Sequence, residues 1–207
     1  MVKKVLISEL VDAGKMNIIG GQITSRVEAK YTKEKIGSIK VLLPKAISNG
    51  SINQDELGTL DLKTEIDKKR ITKAGDIVIK LSTPYDACII TEEEEGLLVP
   101  SFCAIINNVP DSILKEYLLA YLNSQACLLQ IQTLFTGTTI PILSIGQIKK
   151  LYVPLPDEEG DSPQYYIAKK YMEGVEKNKL LEKVMRLEKE YLDSMFFEME
   201  GYYGNRE

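Results

Sequence analysis

The sequence predicts an α+β fold in which a compact β-rich domain with short helices precedes one long C-terminal helix that packs in a helix pair. Three observations predict it. Short β-prone runs separated by turn residues dominate roughly the first 110 residues. Helical patterns follow from Pro110, and the C-terminal stretch combines apolar residues at helical spacing with charges. We therefore expect a domain over residues 1–156, a linker over residues 157–163 and a long helix over residues 164–200.

The N-terminal half predicts strands joined by turns. Val2–Ile7 is a short β-prone run, and Gly37–Leu42 alternates partly in polarity before Pro44 interrupts it. Ile77–Leu81 follows a turn as a buried strand, and Ser101–Asn107 is another β-prone run. Several short strands at this spacing indicate a compact, curved β domain.

A hairpin with an acidic tip is expected in the middle of the chain. Ala87–Thr91 and Gly96–Val99 are β-prone, and Glu92–Glu95 lies between them. Four adjacent carboxylates on a hairpin rarely converge on one point, so a solvated turn is favoured over a cation site. Ser48-Asn49-Gly50-Ser51 is a separate turn signal.

Helical signals begin after the β-prone runs. Pro110-Asp111-Ser112 is expected to start one helix, and Gln125–Phe135 to form a second. Ser144 with Gln147 three residues on fits a capping box for a short helix. Tyr152–Leu155 is expected to be an edge or terminal strand, because proline lies within it and directly after it.

The long C-terminal helix carries a wide apolar face. At ~1.5 Å per residue it would be roughly 50 Å long, too long to bury that face against a small β domain. The face therefore predicts a partner helix, from a second copy of the chain or from another protein. We expect a homodimer, and the predicted dimerisation residues are Leu180, Leu181, Val184, Met185, Leu187, Tyr191, Leu192 and Met195.

Composition excludes several classes of site. The chain has no histidine, and its three cysteines, Cys88, Cys103 and Cys127, form no C-x-x-C pair. Most zinc sites and all His-dependent nucleophiles are therefore excluded, and we expect no metal, no cofactor and buried, structural thiols. No apolar run is long enough to span a bilayer, and the N-terminus lacks a secretory signal pattern. We expect a cytoplasmic protein.

Basic residues are concentrated between Arg26 and Lys45, although the net charge of the chain is −4. The acidic residues within this stretch are Glu28 and Glu34, and Tyr31 lies among the cations. A basic stretch with an aromatic residue is typical of phosphate contacts. Taken alone, a solvated lysine-rich surface is the simpler interpretation. The basic residues are Arg26, Lys30, Lys33, Lys35, Lys40 and Lys45.

Two enzymatic interpretations are poorly supported. Asp12 with Glu28-Ala29-Lys30 forms a D…ExK pattern, in which carboxylates hold Mg²⁺ in nucleases, but such a short pattern arises often by chance. Ser82-Thr83-Pro84-Tyr85 resembles the Asn/Asp/Ser-Pro-Pro-Tyr tetrapeptide of amino-methyltransferases. Its second position is not proline, and no glycine-rich loop follows a strand to hold a cofactor. We therefore expect no enzymatic activity.

The order of segments is the most informative signal. A strand that begins Gly75-Asp76-Ile77-Val78-Ile79 is followed by Leu114–Ser124, by Thr136–Ser144 and by Val153–Pro156, and a long helix led by Gln164 closes the series. This succession resembles the target-recognition domain and spacer helix of type I restriction–modification specificity subunits over essentially the whole chain. In that family a Gly-Asp strand, a "YLLxYLNS"-like helix, a "SGSTIPxLS"-like loop and a "PLPPLEEQ"-like turn follow one another.

The resemblance implies a DNA-binding role without catalysis. Such subunits bind DNA, position methyltransferase and restriction subunits, and usually carry two recognition domains and two spacer helices. This chain has one of each, so it resembles a half subunit that reads half of a bipartite target. Two segments depart from the family: residues 157–163 are longer than its turn, and residues 82–86 replace its basic or glycine-rich loop.

The candidate contacts to double-stranded DNA come from basic residues and polar loops. Cations would anchor phosphates, loop side chains would read base edges in the major groove, and two threonines would contact phosphate or shape their loop. The predicted set is Arg26, Lys30, Tyr31, Lys33, Lys35, Lys40, Ser48, Asn49, Ser51, Asn53, Gln54, Ser82, Thr83, Tyr85, Thr138 and Thr139. The alternative is a protein-interaction module that assembles through its C-terminal helix without binding DNA, which the net negative charge favours.

Overall fold

The computed structural model describes residues 2–135, 142–156 and 163–204 of the 207-residue chain. The chain divides into two compact units, Met1–Tyr171 and Met172–Glu207. The strands and the shorter helices lie in the first unit.

An antiparallel sheet of four strands organises the first unit, in the order β2, β9, β7, β8. The strands are β2 (Asn17–Gly20), β7 (Ile77–Lys80), β8 (Ala87–Ile89) and β9 (Cys103–Asn107). β7 is buried along its whole length and pairs with both β8 and β9. Apart from Lys80, its residues are apolar, as the sequence predicted for a buried strand.

The other described strands form separate two-stranded pairs. In the described part of the chain they are β1 (Val2–Leu6) with β10 (Tyr152–Pro156), β3 (Gly37–Val41) with β6 (Gly58–Leu62), and β4 (Ile47–Ser48) with β5 (Ser51–Ile52), all antiparallel. The first pair joins the N-terminal strand to the last one before the long helix. β6 was not predicted, although the alternation of Leu60 and Leu62 with polar residues is a period-two signal.

Short helices pack around the sheet, and a long one ends the chain. The described helices are α1 (Ile7–Asp12), α2 (Thr24–Val27), α3 (Lys115–Leu122), α4 (Gln125–Thr133), α5 (Ile145–Ile148) and α6 (Pro163–Gly204). α3 is a core helix, because every residue from Tyr117 to Leu122 is buried. The predicted capping box of α5 is confirmed: the Gln147 backbone N–H donates to Ser144 Oγ at 3.2 Å, and Gln147 Oε1 accepts from the Ser144 backbone N–H at 2.9 Å.

The hydrophobic core combines sheet residues with the β4–β5 hairpin. Its main cluster is Leu42, Ala46, Ile47, Ile52, Val78, Cys88, Ile90, Leu97, Val99, Cys103 and Ile105. All three cysteines are buried, as predicted. Burial raises the pKa of Cys103 and of Cys127 to about 12, so both remain protonated thiols at neutral pH.

The predicted acidic hairpin is wrong. Glu92–Glu94 forms a short 3-10 turn, in which the Glu94 carboxylate accepts a hydrogen bond from the Thr91 backbone N–H at 3.0 Å. Glu94 is therefore buried instead of solvated. This cap ends the strand, and Leu98 pairs with Val41 and not with β8.

The helix predicted from Pro110 begins later, at Lys115. Gln164 explains the difference, because its side chain binds backbone groups that an earlier helix start would use. Gln164 Oε1 accepts from the Leu114 backbone N–H at 3.2 Å, and Gln164 Nε2 donates to the Ser112 carbonyl at 3.1 Å. The preceding residues consequently form a turn.

The long C-terminal helix is confirmed as α6, Pro163–Gly204. Its first residues belong to the first unit and the remainder to the second. In the second unit every residue from Leu180 to Gly201 is exposed. Within the described ranges, no helix combines the length and the apolar character that crossing a membrane requires.

Candidate functional site

The predicted DNA contacts that the structure describes form two groups in the first unit. We call residues 26–40 together with β6 the basic arm, and residues 47–54 together with residues 82–86 the turn cluster. Thr138 and Thr139 lie outside the described residues.

Strand pairing gives the basic arm an outward polar face. β3 and β6 pair with Ser38 opposite Asp61 and Lys40 opposite Thr59. Successive side chains of a strand point to opposite faces. Ser38 and Lys40 are therefore exposed while Val41 is buried, and Lys40 is available to an approaching ligand.

Lys35 differs from the other cations of the basic arm because it is already paired. Its Nζ lies 2.8 Å from Asp61 Oδ1, and Ser38 Oγ donates to the same oxygen at 2.8 Å. The hydrogen bond from Lys35, then that from Ser38, lowers the pKa of Asp61. Tyr31 is 63% exposed. Among described residues, four exposed cations of the arm form no ion pair: Arg26, Lys30, Lys33 and Lys40.

The β4–β5 hairpin presents a tight polar tip. Asn49 and Gly50 have φ values of 49° and 83°, as the two central residues of a type I′ turn require. Asn49 is exposed, and Ser51 Oγ donates to the Ser48 carbonyl at 3.2 Å. The tip therefore offers a fixed backbone with a solvent-facing amide.

Asn53 and Gln54 follow this hairpin and are both exposed. Asn53 Oδ1 accepts a hydrogen bond from the Asp55 backbone N–H at 3.0 Å, which caps a short 3-10 turn. The cap therefore holds the exposed Asn53 side chain in place beside Gln54 in the sequence.

The second half of the turn cluster is a tight turn at the end of β7. The Tyr85 backbone N–H donates to the Ser82 carbonyl at 2.8 Å, and the Thr83–Pro84 peptide is cis, which defines a type VI turn. Thr83 is exposed. Tyr85 is 4% exposed and stacks on Phe135 with ring centroids 6.2 Å apart, so its ring packs within the protein.

A buried lysine joins the two halves of the turn cluster. Lys80 Nζ donates to the Ile47 carbonyl at 3.1 Å and to Asp86 Oδ2 at 2.7 Å, and the residue is 7% exposed. A buried ammonium requires such acceptors, because its desolvation is costly. Sequence reasoning missed Lys80; the signal was a lysine inside an otherwise apolar strand.

Both described flanks of the 136–141 segment contact the type VI turn. Phe135 stacks on Tyr85 on one side, and Ile142 forms a bridge with Ser82 on the other. Phe135 and Ile142 therefore both lie beside residues 82–85.

Asn123 supports the turn cluster from behind. Its Oδ1 accepts from the Ala87 backbone N–H at 2.8 Å, and its Nδ2 donates to the Ala87 carbonyl at 3.0 Å. It also hydrogen-bonds the Tyr171 side chain, whose pKa burial raises to about 12. The asparagine of the "YLNS"-like motif thus holds the β8 edge, a role that sequence reasoning did not assign.

The residues of the nuclease pattern are separate in the structure. Asp12 ends α1 and lies 3.7 Å from Lys149 Nζ, while Glu28 bridges to Leu62 in β6. Across the described ranges, no three Cys, Asp or Glu side chains are grouped to hold a metal ion.

Comparisons with known proteins match this chain by fold. No protein-family model matches it, and no curated protein sequence does. A chain from a structure of complex assembly and conformational transition of the type I R-M system is 14% identical, with a TM-score of 0.55 over 94% of this chain and 43% of that one. The HsdS subunit from Thermoanaerobacter tengcongensis is 17% identical, with a TM-score of 0.56 over 92% of this chain and 47% of that one.

These matches confirm the predicted fold, a β-rich region followed by a long helix. The likeness extends over nearly all of this chain, which spans a little under half of the length of either solved chain.

Proposed function

We propose that this chain is the DNA-recognition half of a type I restriction–modification specificity subunit and that it has no catalytic activity of its own. The observation that carries the proposal is the fold match over nearly the whole chain but under half of the HsdS chain. A subunit with two recognition domains and two helices has room for two units of this kind. The order of motifs in the sequence supports the same family independently of the fold.

In this proposal the basic arm and the turn cluster have different roles in binding DNA. Exposed cations of the basic arm, with Tyr31 among them, contact phosphates and fix the position of the protein on the duplex without reading sequence. Polar side chains of the turn cluster enter the major groove, where each base pair presents a distinct set of donors and acceptors. Asn49 and Thr83 are exposed at the two turns and are the first candidates for base contacts.

The turn cluster is suited to readout because its loops are fixed before DNA binds. Lys80 joins the hairpin to the type VI turn, and Asn123 holds the neighbouring strand. A prearranged loop loses less conformational entropy on binding than a flexible one. Tyr85 contributes to this arrangement by packing on Phe135.

The apolar face of α6 supports a homodimer. The side chains of its predicted dimerisation residues are between 43% and 69% exposed, and burying such residues contributes on the order of 1.5–3 kcal/mol each. A second copy supplies a helix of equal length with the same face. Two identical domains would then read a palindromic bipartite target. Methyltransferase and restriction subunits are the further partners that the family resemblance implies.

The alternative is an assembly module without a DNA role. The exposed face of α6 favours it, and so does the net charge of −4. It predicts helix-mediated association with no affinity for duplex DNA.

The test is selection of duplexes from a randomised pool, followed by affinity measurement at 50 to 200 mM salt. We expect an enriched palindromic sequence and an affinity that falls steeply with salt, because bound cations release counterions from the phosphates. Lys30→Glu with Lys33→Glu should weaken every duplex alike, whereas Thr83→Val should change the preferred sequence. Lys169→Glu with Lys177→Glu on α6 is the charge-matched control. The absence of enrichment and of salt dependence would favour the assembly module.

A further inference from the structure

A second cation-rich surface lies in a cleft of the first unit. The cleft has a volume of about 570 Å³, and its described lining includes no residue of the basic arm or the turn cluster. Its cations come from distant parts of the chain. Lys68, Lys69 and Lys73 lie between β6 and β7, and Lys149 follows α5.

The segment that carries three of these lysines is firmly held. Arg70 Nη1 donates to the Gly21 carbonyl at 2.7 Å, and Thr72 Oγ1 donates to the Glu94 carbonyl at 2.8 Å. Asp67 Oδ1 caps the turn by accepting from the Lys69 backbone N–H at 3.0 Å. The backbone that presents the lysines is therefore fixed, while Lys68, Lys69 and Lys73 themselves are exposed.

The charge of the lining is strongly unbalanced. Four ammonium groups face one carboxylate, Asp76, which is 6% exposed and accepts a hydrogen bond from the Lys73 backbone N–H at 2.9 Å. The Asp76 carboxylate is thus already bound to the backbone of Lys73. Lys149 lies 3.7 Å from Asp12, and the other three lysines form no ion pair within the described residues.

Neutral hydrogen-bonding groups and an apolar floor complete the cleft. Asn17, Asn107 and Asn108 line it, and Asn17 Nδ2 donates to Asn107 Oδ1 at 3.0 Å. Ile18 and Ile71, which are half-buried, form its apolar floor. Ammonium groups beside amides are a typical environment for phosphate oxygens.

The size of the cleft favours a small group over a protein partner as its ligand. Its volume is within the ~300–1,000 Å³ that small-ligand sites occupy, whereas a stable protein interface buries roughly 1,200 Å² or more. We propose that this cleft binds phosphate groups through Lys68, Lys69, Lys73 and Lys149. The source of the phosphate is the backbone of bound DNA, which rests on the proposed function, or a free nucleoside polyphosphate.

The experiment compares two variants of the full chain. The cleft variant carries Lys68→Gln, Lys69→Gln and Lys73→Gln, and the control carries Lys169→Gln, Lys177→Gln and Lys183→Gln, which remove the same charge from exposed positions on α6. The first probe is inorganic pyrophosphate, followed through the NMR signals of the Asn17, Asn107 and Asn108 side-chain amides. We expect saturable shifts in the wild type and the control, and an affinity about tenfold weaker in the cleft variant.

The second probe is a 30-base-pair duplex, and it separates the two sources of phosphate. If the cleft holds DNA phosphates, the cleft variant should reduce the slope of log K against log salt by about two to three, and the control should not. An unchanged slope with intact pyrophosphate binding by the wild type supports a free nucleotide as the ligand. Wild-type protein that binds pyrophosphate but no duplex refutes the proposed function and leaves the cleft proposal standing. Asn amide signals that do not respond to pyrophosphate, with duplex binding equal in both variants, overturn the cleft proposal.

Discussion

Two lysine–aspartate pairs in the first unit have nearly the same geometry and different surroundings. Lys80 and Asp86 approach to 2.7 Å with side chains 8% and 26% exposed, while Lys35 and Asp61 approach to 2.8 Å with side chains 38% and 46% exposed. An exposed pair contributes little to stability, because water screens it and competes for its hydrogen bonds. A buried pair is costly to form but far more costly to break on one side.

The two pairs therefore have different roles. The Lys80–Asp86 pair fixes the position of the turn cluster, since the same ammonium also binds the Ile47 carbonyl. The Lys35–Asp61 pair lies on the outward face of the basic arm, where both side chains remain in contact with solvent. The N–O distance alone does not distinguish a structural ion pair from a solvent-exposed one. The burial of the two side chains and their additional hydrogen-bond partners do.

The largest effect should come from Lys80→Met. This change leaves Asp86 and the Ile47 carbonyl without their cation, and we expect a loss of roughly 3 kcal/mol in the free energy of unfolding, measured with urea. The double variant Lys80→Met with Asp86→Leu should recover much of that loss, because no unpaired charge remains. A single variant as stable as wild type would contradict the anchor role.

Asn123→Ala should have the next largest effect. It removes the two hydrogen bonds to Ala87 and leaves backbone groups of β8 unpaired, so we expect a loss of about 2 kcal/mol by the same urea measurement. Asn123→Asp keeps the acceptor for the Ala87 N–H but places a carboxylate oxygen against the Ala87 and Leu119 carbonyls, and should be at least as unstable as Asn123→Ala. Equal stability of all three proteins would show that the β8 edge does not depend on this side chain.

Replacing Asp61, which removes the exposed Lys35–Asp61 pair, should change the free energy of unfolding little. The change should also be limited to part of the pH range. The pKa of Asp61 is lowered in the folded protein from its ordinary value of 3.8. Its contribution is therefore fully present above that value and is lost as the pH falls through the lowered pKa. The difference in stability between wild type and Asp61→Asn should be small at pH 7 and should decrease further as the pH falls below 3.8, when followed by urea unfolding at each pH. A difference that grows on acidification would contradict the assignment.

The substitutions with the smallest expected effect on the first unit lie in the second unit, on α6. Leu181→Asp with Val184→Asp should leave the near-ultraviolet circular dichroism and unfolding midpoint of the first unit unchanged, because both side chains are exposed. Sedimentation should change from dimer to monomer. Lys183→Gln, on the same helix, should leave the dimer intact and serves as the control. Wild-type protein that sediments as a monomer at micromolar concentration would contradict the homodimer.

The sequence predicted features that are encoded locally. The buried strand at Ile77–Leu81, the turn at residues 48–51 and the Ser144–Gln147 capping box each lie within a few residues, and the structure has all three. The long helix was predictable for the same reason, since its pattern repeats over many turns.

Features that depend on distant contacts were not predictable. Lys80 lies 33 residues from its Ile47 acceptor, and no local pattern pairs them. Gln164 delays the start of α3 across 50 residues. The burial of Tyr85 depends on Phe135, on a different element. Such contacts follow from the packing of whole elements, so the sequence could name candidate residues but could not give their arrangement.

The hydrogen bond between Lys80 and Ile47 has a practical consequence for anyone who wishes to exchange these loops. A loop grafted from a donor into residues 82–86 would lose Asp86 and leave the Lys80 ammonium with one acceptor, while a grafted hairpin at residues 47–54 would have to offer its carbonyl at the same place. Exchanging either loop alone risks a misfolded chimera. Residues 47–86 should instead be transplanted as a single cassette, with the asparagine at position 123 retained in the acceptor scaffold.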